Sequence, residues 1–575
     1  MQGPLSQAVA GMCAALLPQV SPRTATGVAE VLRRLDTPLQ LAVAGRIKSG
    51  KSTLVNALIG RRVAPTDVGE CTRLVTRFQY GTVDRIEVVF GDGRRATVPF
   101  ATDGGIPADL GIDLAGVSHL EAYLTSALLA GITVIDTPGL GSLDAASVSR
   151  TEALLGVAER PADDGRAALG ADHPISALDA VSQFAVGGAE AVLYVFTQGV
   201  RADDTRVLAA FTAATAARDA GPVNALAVLN KVDTIVPETV QGAGGDVREA
   251  ARILARAQAA VLRPRVADVV PVIGLLAETA ETGAFTAADA ADLRALSNID
   301  PALFAAMTMA GDLFTEMAAP IDRPTRLRLL QNLDLYGIAE AVRVLRAEPG
   351  ISAGELRRRL LDASGFAELR QRLGEVFRAR ADGIKASAAL ASMAALAANS
   401  GDWAERKRVH DAIEVLLQRP EAHQLRLLEA LTLLSTGTVT MPDDLTTEIL
   451  RVGASARPED QLGLPTAGHL QLQAAALERA GWWRSFASFG ATPAQSRVAH
   501  VVHRAYFLLW QDLKGDVPSG PLGELAKGTG RRPEFGDQAS GIGVRRASDL
   551  PPGSAANGSA SGRAAGDRWD GPTRR

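Results

Sequence analysis

The run Gly45-Arg46-Ile47-Lys48-Ser49-Gly50-Lys51-Ser52 has the residue types and spacing of a phosphate-binding loop. A triphosphate is densely charged, so a protein must bring several backbone N–H groups up to it with no side chain in the way, and Gly45 and Gly50 permit that approach. Lys51 is placed to reach the β- and γ-phosphates, and Ser49, Ser52 and Thr53 complete the contacts. The Ser52 hydroxyl is suited to the Mg2+ that bridges two phosphates. Residues 39–44 (Leu-Gln-Leu-Ala-Val-Ala) read as a buried strand before the loop. Leu54, Val55, Leu58 and Ile59 recur at helical spacing after it.

A second run, Asn230-Lys231-Val232-Asp233, follows the apolar residues 225–229. At a strand end, Asp233 can accept from both N1–H and N2–H of guanine. Adenine offers no such pair of donors, and a buried carboxylate left unpaired by the wrong base is costly. Lys231 can lay its stem along the ring, and Asn230 can tether this loop to the phosphate loop. Between the two runs, residues 132–135 lead as a strand into Asp136-Thr137-Pro138-Gly139. Asp136 is placed to hold Mg2+ through water, and the Gly139 N–H can bond the γ-phosphate, which makes this loop a switch. Residues 65–73 must supply a threonine to the metal. Thr72, directly before the strand-like residues 74–80, is preferred to Thr66, which sits near the end of the first helix. Cys71 beside it reads as packing.

These elements in this order describe a GTPase domain. The loop and helix continue as Ser-Thr-Leu-Val-Asn-Ala-Leu-Ile-Gly, then Ala-Pro-Thr-Asp-Val-Gly-Glu-Cys-Thr-Arg, and the chain here resembles the bacterial dynamin-like GTPases, most closely their isoniazid-inducible Ini-type members. The resemblance extends through Leu140-Gly141-Ser142 and the Asn230 run. In the helical half, Leu333-Asp334-Leu335-Tyr336-Gly337 and Phe377-Arg378-Ala379-Arg380-Ala381-Asp382 are similar to that group. It implies GTP hydrolysis to GDP, pairing of G domains with a second copy or a related GTPase, movement of a helical stalk, and binding or remodelling of membranes.

Two departures qualify that inheritance. Dynamins proper carry Gln-Ser within the loop, where the glutamine orients the attacking water; this chain has Ile47 and Lys48. Ile47 cannot orient water. Lys48 occupies the place where guanylate-binding GTPases hold an internal arginine, so it is a candidate to stabilise charge on the β–γ bridge, against the plainer reading of a solvated lysine. After residues 269–272, where GTPases commonly show Ser-Ala, stand Ile273-Gly274. The Gly274 N–H is expected to face guanine O6. The candidate catalytic set is Lys48, Lys51, Thr72 and Gly139.

The fold class expected is an α/β P-loop GTPase domain, a mostly parallel sheet flanked by helices, followed by a large all-α bundle or stalk and a disordered C-terminal tail. The division expected is 1–36 for N-terminal helices on the bundle, 37–285 for the GTPase domain, 286–513 for the bundle, and 514–575 for the tail. Residues 24–36 carry Val28, Val31, Leu32 and Leu35 on one helical face, ended by Pro38. Residues 85–90 and 96–100 flank Gly91-Asp92-Gly93 as a hairpin. A polar insert at 161–174 reads as a loop. Phe366, Leu369, Leu373, Val376 and Phe377 form one helical stripe. From Lys514 onward Gly, Pro, Ser, Ala and Arg replace apolar periodicity.

Of the 575 residues, 47% are hydrophobic and 22% charged, as in ordinary globular proteins. A formal charge of −4 gives no global basic field, so nucleic acid is not an expected partner. Cys13 and Cys71 lack metal spacing and argue for a reducing compartment. His500 and His503 are helix neighbours with no third ligand in view. The N-terminus lacks a basic leader, and its apolar stretch at 8–17 is broken by Pro18. The Ala-rich 386–398 is too short to span a bilayer, so the expectation is a cytoplasmic protein, peripheral at most on the inner face of the plasma membrane, with anionic lipids as a candidate partner. Trp482-Trp483-Arg484-Ser485-Phe486 suits either a bundle core or a membrane interface. Two further functional classes stay open: a slow GTP-regulated switch or assembly factor, and a weakly hydrolysing subunit of a heteromeric pair.

Overall fold

The computed structural model describes residues 3–65, 74–137 except 115, 189–201, 205, 208, and 224–515 except 263, 264, 379, 436, 437, 455 and 456. Thr66, Cys71, Thr72, Gly139, the 161–174 insert and the tail from 516 onward lie outside them.

Among the described residues nine strands form one mixed sheet: β1 (Leu39–Gly45), β2 (Thr76–Tyr80), β3 (Arg85–Phe90), β4 (Arg95–Val98), β5 (Val117–Leu124), β6 (Ile132–Asp136), β7 (Ala191–Thr197), β8 (Ala225–Asn230) and β9 (Val269–Val272), in the order β4-β3-β5-β2-β6-β1-β7-β8-β9. The strands from β6 to β9 run parallel. The hairpin β3–β4 and the β2–β6 and β3–β5 pairings are antiparallel. Every residue of β1, β6 and β8 is buried, because helices cover both faces, and such strands read as unbroken apolar runs.

The period of two divides those strands between two cores. Leu39, Leu41 and Val43 of β1 join Leu193, Val195 and Val228 on the face covered by α3 (Lys51–Ile59). Ala42 and Ala44 join Tyr194, Phe196 and Leu229 on the other. That second core continues through the helices α4 (Val247–Leu262), α5 (Gly274–Glu281), α6 (Ala287–Ser297), α7 (Pro301–Met307), α8 (Gly311–Glu316), α9 (Arg323–Ala347) and α10 (Ala353–Ala363). The stripe Phe366, Leu369, Leu373, Val376 and Phe377 is wholly buried, but it spans α11 (Phe366–Leu373) and a π-helical turn, Gly374–Arg378, and it packs in the α3-side core with Val270 and Val272. The expected boundary at residue 286 therefore coincides with no break in the core. Amphipathic stripes do not name their partners, and these helices bury theirs on the sheet.

Two helical cores lie beyond. In one, α1 (Pro4–Leu16) and α2 (Pro22–Asp36) pack with α12 (Ala381–Asn399) and α13 (Trp403–Leu417) through Val9, Cys13, Val28, Ala386, Met393 and Val409. Asp382 accepts from the Leu5 and Ser6 N–H groups at 3.0 and 2.8 Å. The other joins α14 (His423–Ser435), α15 (Asp443–Ala454), α16 (Pro458–Leu462), α17 (His469–Phe489) and α18 (Pro493–Gly515) around Trp483 and Tyr506. Trp483 is buried, whereas its neighbour Trp482 is 40% exposed and stacks on Phe486. No described helix is long and apolar enough to cross a membrane.

Candidate nucleotide site

The phosphate loop leaves β1 through Gly45, at φ 153°; a Cβ there would lie 2.1 Å from the Val195 carbonyl oxygen on β7. Gly50, at φ 88°, opens α3, and a Cβ on it would lie 2.3 Å from Asn230 Nδ2. Both positions therefore require glycine by contact as well as by conformation. The α3 N-terminus has no side-chain cap, which leaves its first N–H groups to an anion. Lys51 is buried beneath the loop and its Nζ donates to the carbonyls of Gly45 and Arg46 at 3.1 and 3.0 Å. Burial lowers its pKa, against the pull of the Asp136 charge. Ser49 Oγ is buried with no partner among the described residues, and Thr53 is half-buried on α3.

Ser52 Oγ donates to Asp136 Oδ2 at 2.9 Å. The other oxygen of that carboxylate is buried and has no partner among the described residues, and burial pushes the carboxyl up to about 6. Thr137 Oγ1 donates to the Val43 carbonyl at 2.8 Å, fixing the end of β6 against β1. An orphaned carboxylate oxygen beside a serine hydroxyl is a donor set that fits a hard, oxygen-loving cation such as Mg2+.

Asn230 is 2% exposed at the end of β8 and serves both loops at once. Its Nδ2 donates to the Ser49 carbonyl at 2.8 Å, and its Oδ1 accepts from the Gly274 N–H at 2.9 Å. This corrects the expectation for Gly274: its N–H is engaged by the Asn230 amide and is not free for guanine O6. Lys231 is exposed at φ 59°, and Asp233 is half-buried, its Oδ1 without a partner among the described residues. Burial raises the Asp233 pKa, and the charge of Asp334 adds to that.

Non-glycine residues at positive φ among the described residues are Lys48, Gln198, Lys231 and Asp334. The first three stand just past the C-terminal ends of β1, β7 and β8, the edge of a parallel sheet where ligands bind. Lys48, at φ 62°, is exposed, and Ile47 beside it is 47% exposed. The structure thus gathers Gly45, Lys48, Ser49, Gly50, Lys51, Ser52, Thr53, Asp136, Asn230, Lys231, Asp233 and Gly274 around one edge.

Asn56 escaped the sequence reading. Its Oδ1 accepts from the N–H groups of Val63 and Ala64 at 2.9 and 2.8 Å, and its Nδ2 donates to the Ala64 carbonyl at 3.1 Å and to Glu278 Oε1 at 2.7 Å. It roots the segment that leads to Thr72. A lone amide inside Leu-Val-Asn-Ala-Leu was the available signal, because a polar group in an apolar run needs buried partners.

A central β1–loop–α3 unit, a carboxylate at the end of the neighbouring strand and an Asn-Lys-x-Asp turn after β8 define a P-loop GTPase domain. The Dynamin family model matches residues 41–208. The isoniazid-induced protein IniC of Mycobacterium tuberculosis is 32% identical over 78% of this chain and 85% of its own length. The bacterial dynamin-like protein of Nostoc punctiforme is 33% identical over 20% of this chain and 18% of its own, and IniA of M. tuberculosis 30% identical over 21% and 20%. A solved structure described as an oligomerised bacterial dynamin pair superposes at a TM-score of 0.31 with 11% identity, over 91% of this chain and 77% of the other, too remote to carry weight. The chain belongs to the bacterial dynamin-like GTPases, and within them to the Ini-type proteins.

Proposed function

We propose that this protein binds GTP with Mg2+, hydrolyses it to GDP, and couples pairing of its nucleotide face with a second copy or a related GTPase to movement of the helical half at a membrane surface. The observation that supports this best is the Asn230 side chain holding the phosphate loop and the base-recognition turn in one rigid joint. Ser52 and Asp136 would hold the metal, with Thr72 as a third ligand; the ion would supply charge neutralisation between the β- and γ-phosphates. Lys51 carries its charge to the phosphates, Asp233 reads the guanine edge, and Lys48 stands exposed within the loop. Gly139 would bond the γ-phosphate. Membrane contact, with anionic lipids, is peripheral in this reading.

The half-exposed Ile47, standing where dynamins place the water-orienting glutamine, favours a second reading. In it the protein is a slow switch, or a subunit whose catalytic site a related GTPase completes. Guanine-nucleotide binding by the purified chain, followed by phosphate release with and without Mg2+, tests the first reading. Tight binding with no release at any protein concentration supports the second.

A further inference from the structure

The phosphate-loop helix α3 and the base-loop helix α5 are joined at two points. At the first, the Asn230 amide bridges the Ser49 carbonyl and the Gly274 N–H. At the second, beyond the first turn of each helix, Asn56 Nδ2 donates to Glu278 Oε1 at 2.7 Å, and the neighbouring Ala57 and Ala277 belong to one core. Asn56 is 1% exposed and Glu278 4%.

A carboxylate is costly in that place. Burial raises the Glu278 pKa, and the cation facing it, Arg62, is half-exposed, stands 3.5 Å from Oε2, and is shared with Thr279 Oγ1 and Asn332 Oδ1 at 3.3 and 3.2 Å. So loose a pair contributes little, and an apolar side chain of the same size would fill the space without the cost. What Glu278 supplies is the last partner of Asn56. The Asn56 oxygen accepts from the Val63 and Ala64 N–H groups and its nitrogen donates to the Ala64 carbonyl and to Glu278, so every hydrogen-bonding position of the amide is used. An amide fixed in this way sets the path by which the chain leaves α3. The Val63 carbonyl accepts from the Ile106 N–H at 3.0 Å on the same path. Asn56 stands one helical turn after Ser52, and the chain that it directs runs on toward Thr72. The joint therefore lies, along the chain, between two hydroxyl groups assigned to the metal.

We propose that Glu278 is a positioning residue for the metal site: by holding Asn56 it sets how Ser52 and the chain leaving α3 are presented to Mg2+, and it touches neither the ion nor the nucleotide. This rests on the reading of Ser52, Asp136 and Thr72 as the metal's ligands.

The test is equilibrium binding of the non-hydrolysable analogue guanosine imidotriphosphate to the full chain, in EDTA and then across a Mg2+ titration, with thermal midpoints recorded alongside. Glu278→Leu removes the acceptor. Glu278→Gln keeps an acceptor oxygen and drops the charge, whereas Glu278→Asp keeps the charge and falls one methylene short of Asn56. The Mg2+ concentration that gives half of the gain in affinity should rise about tenfold in the leucine and aspartate variants, the low end for groups that orient metal ligands. The glutamine variant should match the parent, and metal-free affinity should be unchanged in all three because the Asn230 end of the joint is intact. The aspartate variant decides the matter if the leucine variant does not fold. Parent-like Mg2+ dependence in the leucine and aspartate variants overturns the proposal, as does a glutamine variant as weak as the leucine one. Equal loss of metal-free and metal-bound affinity overturns it too, leaving Glu278 a packing residue. A parent chain whose affinity does not respond to Mg2+ overturns the underlying metal reading instead.

Discussion

Asn230 Nδ2 donates to the Ser49 carbonyl at 2.8 Å, so the turn that reads the base and the loop that cradles the phosphates share one side chain. The same amide accepts from Gly274, and all of it is buried. Truncation in Asn230→Ala strands a carbonyl and an N–H together, at about 1–3 kcal/mol for each unsatisfied group. The expected outcome is a loss of at least tenfold in GDP affinity and a lower thermal midpoint, read by fluorescent-nucleotide titration and thermal melts. Unchanged affinity would mean that the two loops are held in register by other contacts.

The second prediction concerns pH. Burial raises the Asp136 carboxyl from its ordinary 3.8 to about 6. In the nucleotide-free protein this group's contribution to stability is fully present below pH 3.8 and is lost as the pH rises through about 6. Mg2+ needs the same carboxylate deprotonated. Affinity for Mg-GTP should therefore fall below about pH 6, by at most about tenfold per unit, with a weaker trend in metal-free titrations. Asp136→Asn should flatten that difference. A profile identical with and without the metal contradicts the assignment of Asp136.

Lys48 is the cation that the exposed part of the phosphate loop presents. If it stabilises charge at the β–γ bridge, Lys48→Ala lowers kcat by about 10–100-fold at saturating GTP and leaves KM within a few-fold. Steady-state phosphate release is the measurement. Full turnover in the variant returns Lys48 to an ordinary solvated lysine.

In the C-terminal bundle, Glu448 accepts from Trp483 Nε1 at 3.0 Å and from the Tyr506 hydroxyl at 2.7 Å, and it pairs with Arg479. Glu448→Ala leaves the buried Trp483 and Tyr506 donors unmatched and should cost about 1–3 kcal/mol for each of them. Trp483→Ala should cost a similar amount by leaving a cavity. Trp482→Ala, at a half-exposed position, should cost about 1 kcal/mol or less. Chemical denaturation of the three variants checks the order. Equal losses for the two tryptophans would place Trp482 in the core as well.

How far these features could be read in advance depended on whether the information was local. The strand before Gly45 and the helix after Lys51 were legible because both elements and their loop are encoded within one short run. The β3–β4 hairpin was legible from Gly91-Asp92-Gly93. Partners were not. The stripe from Phe366 to Phe377 announces an apolar face, yet nothing in it says that the face packs on a sheet whose strands lie far earlier in the chain. Within 1–36, expected as N-terminal helices, residues 8–17 read as an apolar stretch broken by Pro18, whereas the first helix runs Pro4–Leu16, with Pro4 at a first-turn position where proline is favoured. The break of the helix Arg323–Ala347 at Asp334, where φ is 54° and ψ 175°, had no local signal, since Leu-Asp-Leu-Tyr reads as uninterrupted helix. Gly274 was misread for a related reason: the amide that engages its N–H belongs to another motif.

The most direct test of the account is GTP turnover per molecule measured across a wide range of protein concentration, with Lys51→Ala as the blank. If nucleotide faces pair to complete the catalytic site, specific activity rises with concentration and reaches a plateau, and the blank stays flat. Slow turnover per molecule that is indifferent to concentration contradicts self-pairing and leaves a switch, or half of an enzyme that a related GTPase completes.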